Sequence, residues 1–421
     1  MSDAPAYTFR DAGLHSRPLR ILNACGGALR RLGAEPPSLE PDALIDAARR
    51  RSGLADLGAD TLREPLEVLA DAIRREAGLT TFGRIALRGL LVGALENRLA
   101  LVDWANRHPE VRAETITRPW IIVGLPRTGT TLLSLLLALD PSVRPLEQWE
   151  ASRPIPPPDL ASHREDPRIE SARKTFAQLE SLNPPIRAMH PFGATLATEC
   201  VTLLIFDLRS LSIETQAFVP SYGRWLEQAD MSHAYELHEL ALKALQSRIP
   251  TGAWSLKTPN HLWCLDELVR RYPDARILWT HRDPTKVVPS VASLNCAMQR
   301  AFARRVEPRA VAADWNHKLH LAVTRGLDFD ARQNGRAWCH HVQYAQLLTD
   351  PLGTLRNAYE HFGDTLTPLH ERRIEAWLRE RPQNVHGRHV YEIADFGLTA
   401  QEIAEAYAAY SRRFDVPPEA A

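Results

Sequence analysis

Over the first 117 residues, apolar positions recur three and four apart with charged residues between them, the spacing of helices that bury one face. Leu66-Glu-Val-Leu-Ala-Asp-Ala-Ile-Arg-Arg-Glu is one such stretch, and Leu87 to Trp104 repeats it until His108-Pro109 ends the pattern. The period then changes. Arg118-Pro119-Trp120 leads into Ile121-Ile122-Val123, a short β-branched run that reads as a buried parallel strand. A glycine-containing loop, Gly124 to Thr131, and a helix over Leu132 to Leu139 follow. Pro154-Ile-Pro-Pro-Pro158 predicts an extended connection, and helical spacing returns over 166–182, 196–211 and 232–248. A second strand, Arg276 to Thr280, follows the turn Tyr272-Pro273-Asp274 and runs into His281-Arg282-Asp283-Pro284. A third, Cys339 to Tyr344, precedes a helix that starts at Asp350-Pro351. This alternation predicts an α/β fold, a parallel sheet flanked by helices. The expected division is a helical N-terminal region (1–117), the α/β domain (118–400) and a C-terminal helix and tail (401–421).

Composition narrows the function. Lys+Arg and Asp+Glu are both 51, so the formal net charge is zero, which disfavours nucleic acid and polyanionic partners. The longest apolar run, Leu132 to Leu139, is under half of the ~18 residues of a membrane span. The five cysteines are scattered and never form C-x-x-C, so neither a disulfide framework nor a zinc site is expected, and a cytoplasmic location is the simplest reading. Only Lys174, Lys243, Lys257, Lys286 and Lys318 are lysines, so a lysine near a motif carries weight. The oligomeric state is not legible in the sequence.

The loop Gly124-Leu-Pro-Arg-Thr-Gly-Thr-Thr131 keeps the glycine spacing and final hydroxyl of G-x-x-x-x-G-K-[ST], with Thr130 in place of the lysine. Strand before and helix after is the context that pattern requires. Backbone N–H groups and a helix N-terminus there cradle a phosphate-type anion, and Arg127 adds positive charge. A P-loop kinase is the competing enzyme. It needs the missing lysine and an acidic metal site, for which Asp283 is the single candidate.

Pro126-Arg-Thr-Gly-Thr-Thr-Leu132 resembles the 5′-phosphosulfate loop of sulfotransferases that use 3′-phosphoadenosine-5′-phosphosulfate (PAPS), in the arginine form found in tyrosylprotein and many bacterial members. The resemblance implies a P-loop-NTPase-like fold and assigns Arg127, Thr128, Gly129, Thr130 and Thr131 to the 5′ end of PAPS. It assigns Arg282 and Ser290 to the 3′-phosphate of PAPS and of its product, adenosine 3′,5′-bisphosphate. Arginine suits that task through its bidentate fork. Tyr344, in Val342-Gln-Tyr-Ala-Gln-Leu-Leu-Thr-Asp-Pro351, either lies near the adenine, as in that family, or is a strand-end core residue. The stretch Asn384 to Tyr391, ending in Asp395-Phe-Gly-Leu398, resembles the segment that closes over the nucleotide. Arg388 there either reaches the 3′-phosphate or is a solvated surface arginine. Leu132 replaces the adenine-stacking tryptophan of cytosolic members.

Sulfuryl transfer needs a base for the acceptor, neutralisation of the bridging oxygen, and in-line alignment. Arg127 and Lys257 are expected to neutralise charge, since the family carries a transition-state lysine in the neighbourhood of Ser255-Leu-Lys-Thr-Pro-Asn-His261. For the base two candidates stand. His261 is the nearest histidine, because Pro259 occupies the family's usual position. Glu150 lies near Gln148, where tyrosylprotein enzymes have glutamate. Glu199 and His190 either line the acceptor pocket or belong to helices. The expected acceptor is a small, hydrophobic hydroxyl or amine compound, with no metal, since no carboxylate or His/Cys group has metal-ligand spacing. A third reading, a nucleotide-binding protein without transfer activity, rests on the Pro259 and Gln148 departures.

Overall fold

The computed structural model describes residues 6–13, 16–185, 189, 193–335, 337–380 and 388–419. β1 (Ala6–Tyr7) and β7 (Arg388–His389) form a small parallel pair beside the main body. The central sheet has β2 (Trp120–Gly124), β3 (Val143–Pro145), β4 (Ala253–Lys257), β5 (Arg276–His281) and β6 (Cys339–Gln343) in the order β3-β4-β2-β5-β6, all parallel. Every residue of β2, β4 and β5 is buried, as expected where helices cover both faces of a parallel sheet. Alternation along the strands divides the two interiors. Ile121, Val123, Leu256, Ile277 and Trp279 face the larger core, and Trp120, Ile122, Leu278 and Val342 face a second core with Leu133, Leu136 and Leu355.

The larger core continues into the N-terminal helices. Leu66, Leu69 and Ile73 from the helix Arg63–Arg75, and Leu87, Leu91, Leu95 and Leu99 from the helix Thr81–Arg107, share it with the sheet. The apolar interior therefore does not break at residue 117. The long helix ends with His108 as its C-cap and Pro109 opening a 3-10 turn, where the sequence placed its stop. Among the described residues no helix is long and apolar enough to cross a membrane.

Two expectations need correction. The stretch 196–211 is one short helix, Val201–Leu204, and two 3-10 turns, Ile205–Asp207 and Leu211–Ile213, interrupted by Leu208 at φ 54°. The left-handed backbone at Leu208 breaks helical continuity beside Asp207, whose buried carboxylate receives Arg98 and Arg209. β3 and β4 were not evident in the sequence. Trp-Ser-Leu-Lys alternates apolar and polar residues over only four positions, a weak signal for a strand that the fold buries whole, serine and lysine included. Its strand character comes from pairing, Ile121 against Leu256 and Ile122 against Lys257.

The order of the strands locates the site. The chain leaves β2 for the edge strand β3, returns to β4, then crosses to β5 on the other side of β2. Connections diverge at the carboxyl end of β2, where open α/β sheets form their ligand crevice.

Candidate active site

Four neighbouring strands end at this crevice. β2 ends in Gly124, β4 in Lys257, β5 in His281 before Arg282, and β6 in Gln343 before Tyr344. Gly124 is at φ 138°, and a Cβ there would lie 2.4 Å from Thr280 Oγ1 and 2.8 Å from the Thr280 carbonyl. The loop that follows reverses through Arg127 at φ 67° and Gly129 at φ 87°, and the helix Thr130–Leu137 begins. A Cβ on Gly129 would come within 3.0 Å of Tyr344 and 2.9 Å of Leu347, so glycine lets the loop pack on the β6 side. Thr128 turns inward: its hydroxyl donates to the Leu125 carbonyl at 2.7 Å and meets Thr280 Oγ1 at 2.6 Å. Its doubly bonded hydroxyl therefore closes the loop and does not face the crevice. Thr130 and Thr131 open the helix, whose first N–H groups have no intrahelical acceptor.

Arg127 and Arg282 reach the crevice from adjacent strands. Arg127 donates through Nε to Ser290 Oγ at 3.1 Å and through Nη1 to the Met189 carbonyl at 2.8 Å. Arg282 donates to the Arg127 carbonyl at 2.9 Å and stacks 4.1 Å over the Tyr344 ring. Arg127, Arg282, Ser290 and Tyr344 thus form one contiguous group, in which Arg127 bonds the Ser290 that the resemblance assigns to the 3′-phosphate. Burial, with Arg282 nearby, lowers the pKa of Arg127. Burial also works against the charge of Arg282, yet a bidentate Glu419 carboxylate at 2.7 and 2.9 Å leaves its pKa raised. The Glu419 backbone N–H is in turn held by Asp283 at 2.8 Å. Nothing in the sequence pointed to Glu419, because its partner lies 137 residues away.

Lys257 is 2% exposed and donates to Glu199 Oε1 at 2.8 Å, while Glu199 keeps a quarter of its side chain at the surface. The Cys200 N–H donates to the Lys257 carbonyl at 2.9 Å, fixing this segment to the end of β4. The two base candidates lie elsewhere. His261 sits in the 3-10 turn Pro259–Trp263, fully buried, with Nδ1 2.7 Å from the Tyr235 hydroxyl. Burial, with His238 adjacent, holds its pKa well below the ordinary histidine value. A base must reach its proton, and His261 is sealed from the crevice. Glu150 is fully buried against Arg144 at 2.5 Å and His163 at 3.0 Å. Burial opposes its charge, but those partners leave its pKa below the usual carboxylate value. It lines a cavity with Leu135, Ala138 and Leu139, at the far end of the helix from the phosphate-type loop. Gln148 accepts from the Thr198 hydroxyl.

The backbone of Arg388 lies in β7, but its side chain, the stretch 384–387 and His190 lie outside the described residues. Asp395 pairs with Arg10 at 2.7 Å and Phe396 packs on Phe9, so this part of the Asp-Phe-Gly stretch anchors the N-terminal segment. The expectation that no His/Cys group has metal-ligand geometry meets an exception among the described residues: Cys200, His238 and His261 converge.

A family model described as the sulfotransferase family matches residues 119–368. The crystal structure of sulfotransferase STF1 from Mycobacterium tuberculosis H37Rv is 33% identical, covering 88% of this chain and 98% of that one, at a TM-score of 0.79. Sulfotransferase STF9 from Mycobacterium avium is 31% identical, covering 92% and 99%, at a TM-score of 0.83. The omega-hydroxy-beta-dihydromenaquinone-9 sulfotransferase Stf3 of Mycobacterium tuberculosis is 28% identical over 257 residues, 60% of this chain. The match spans 64% of the length of that curated relative.

Proposed function

Because the chain belongs to the sulfotransferase family, we propose that it transfers a sulfuryl group from PAPS to the hydroxyl of a small, hydrophobic acceptor. The observation that carries this is the linked pair of arginines: Arg127 bonded to Ser290, and Arg282 bonded to the backbone of Arg127. Two guanidiniums from the loops after adjacent strands, with one carboxylate on Arg282, suit a donor that is anionic at both ends. The loop Gly124–Thr131 and Arg127 hold the 5′ end, and Arg282 with Ser290 holds the 3′-phosphate. Arg282 over Tyr344 makes a platform that suits adenine, replacing the tryptophan absent at Leu132. Arg388 remains part of this reading as a further 3′-phosphate contact.

PAPS supplies the sulfuryl group on a good leaving phosphate, and the chain supplies positioning, charge and a base. Lys257 and Arg127 neutralise the charge that grows on the bridging oxygen. Glu199 takes the acceptor proton, because it combines contact with Lys257 and access to solvent. His261 and Glu150 serve other roles, one sealed in the interior and one saturated by cations. The name of Stf3 identifies an omega-hydroxy substrate, which supports an alcohol as the acceptor here. The same reading puts the enzyme in the cytoplasm, where its five free cysteines stay reduced.

Calorimetric titration with adenosine 3′,5′-bisphosphate and with adenosine 5′-phosphate tests the reading. The bisphosphate should bind more tightly, and Arg282→Ala should erase the preference, losing roughly 1.5–3 kcal/mol. Equal affinity of the unaltered protein for both nucleotides overturns it. Turnover that needs Mg²⁺ and ATP would instead favour the kinase.

A further inference from the structure

Cys200, His238 and His261 come from three separate segments. Cys200 precedes the short helix Val201–Leu204, His238 lies mid-way along the helix Ser232–Gln246, and His261 lies in the turn after β4. One ligand atom from each lies within 4.8 Å of the others, and all three side chains are fully buried. The outer nitrogen of each ring is occupied by a tyrosine: His261 Nδ1 meets Tyr235 Oη at 2.7 Å, and His238 Nδ1 meets Tyr272 Oη at 2.8 Å. The inner nitrogen of each ring, Nε2, is buried with no hydrogen-bond partner.

Two orphaned imidazole nitrogens beside one thiol are costly for a folded interior. A buried polar atom without a partner forfeits the hydrogen bonds it would make to water. From this arrangement we infer a structural metal site, in which Cys200 Sγ, His238 Nε2 and His261 Nε2 bind one zinc-class cation. The chemistry fits in three respects. Thiolate with imidazole is a zinc donor set. With hydrogen on Nδ1, each ring donates to its tyrosine oxygen and directs the Nε2 lone pair inward, the outer-sphere support common to metal-bound histidines. Ligand atoms of a tetrahedral zinc lie about 3.3–3.6 Å apart, so side-chain shifts of about 1 Å complete the set. On binding during folding, the Cys200 S–H proton passes to solvent, the thiolate and both neutral rings donate lone pairs, and the ion keeps one water of its own hydration as the fourth ligand.

The consequence lies in the site next door. Cys200 follows Glu199 and its N–H holds the Lys257 carbonyl, and His261 is four residues beyond Lys257. The ion would clamp both strands of chain that present the Glu199–Lys257 pair without touching substrate. Being sealed, it enters during folding and resists brief chelation.

The test is independent of sulfuryl transfer. Full-length protein expressed in zinc-supplemented medium and dialysed against EDTA should retain about one zinc per chain by elemental analysis. Protein unfolded, stripped and refolded with Co²⁺ should show thiolate-to-cobalt charge-transfer absorption near 300–350 nm. Cys200→Ser should lose that band and His238→Gln should lower metal content, whereas Cys296→Ser, another buried thiol, should change neither. Should Cys200→Ser fail to fold, the unaltered protein still decides the matter by its metal content and cobalt spectrum. Less than a tenth of an equivalent of metal together with no cobalt band on refolding overturns the site.

Discussion

Lys257 and Lys318 are both buried in a chain with only five lysines, yet their surroundings differ. Lys257 ends a strand at the crevice and pairs with Glu199, whose carboxylate reaches solvent. Lys318 lies within the helix Pro308–Arg332, with Glu214 and Asp314 both bonded to its ammonium. Gly223 makes room for it: a Cβ there would lie 2.8 Å from the ammonium nitrogen and 2.6 Å from Glu214 Oε1. Rarity and burial are therefore shared by both lysines and do not separate function from architecture. What separates them is whether the compensating charge is sealed in or faces the place where a ligand enters. Glu150, closed between Arg144 and His163, belongs with Lys318 on that measure.

The contrast can be broken by substitution. Glu199→Gln should lower kcat by about 10²–10⁴-fold, the usual contribution of a general base. Lys257→Ala should lower kcat comparably with donor affinity nearly intact, because it acts mainly in the transition state. Steady-state kinetics with thermal melts decides this: a large melting shift with unchanged kcat would put Lys257 in the class of Lys318. Lys318→Ala should do the reverse, destabilising the fold by about 3–5 kcal/mol by removing the cation buried between Glu214 and Asp314. Chemical denaturation reads that loss, and the kcat of the folded fraction should stay near that of the unaltered enzyme.

A pH series sharpens the same comparison. Burial, outweighing Lys318, pushes Glu214 from 4.5 up to about 7. A carboxyl whose folded pKa is raised binds its proton more tightly when folded, so its contribution to stability is present below the unfolded value and is lost as pH rises through the folded one. Stability measured by denaturation from pH 4.5 to 7 should fall less steeply in Glu214→Gln than in the unaltered protein, and parallel curves would refute that assignment. The smallest expected effect belongs to Glu419. Its carboxylate occupies Arg282, where the donor's 3′-phosphate is proposed to sit, so it competes with that group. Glu419→Gln should tighten bisphosphate binding by up to about fivefold, consistent with a partly exposed ion pair worth up to about 1 kcal/mol. Unchanged affinity by calorimetry would remove Glu419 from the site.

Much of this molecule was local enough to read in one dimension. Ile121-Ile122-Val123 followed by Gly124 to Thr131 marks a buried strand, a tight loop and a helix start, because β-branching, glycine and helix-opening residues act over a few positions. Arg282 and Ser290, one before and one within the next helix, were legible for the same reason. The helix ending at His108-Pro109 was too. Beyond that range the one-dimensional signal fails. β4 is short, and its pairing with β2 on one side and β3 on the other is what its few residues do not announce. His261 looked available because sequence carries no information on exposure, and the fold closed Tyr235 and His238 around it. Glu419 meets Arg282 across 137 residues, and Cys200 meets His238 and His261 across three helices and a strand. Which atoms are sealed, paired or left facing the crevice depends on long-range packing, and only the folded chain brings those partners within a few ångströms.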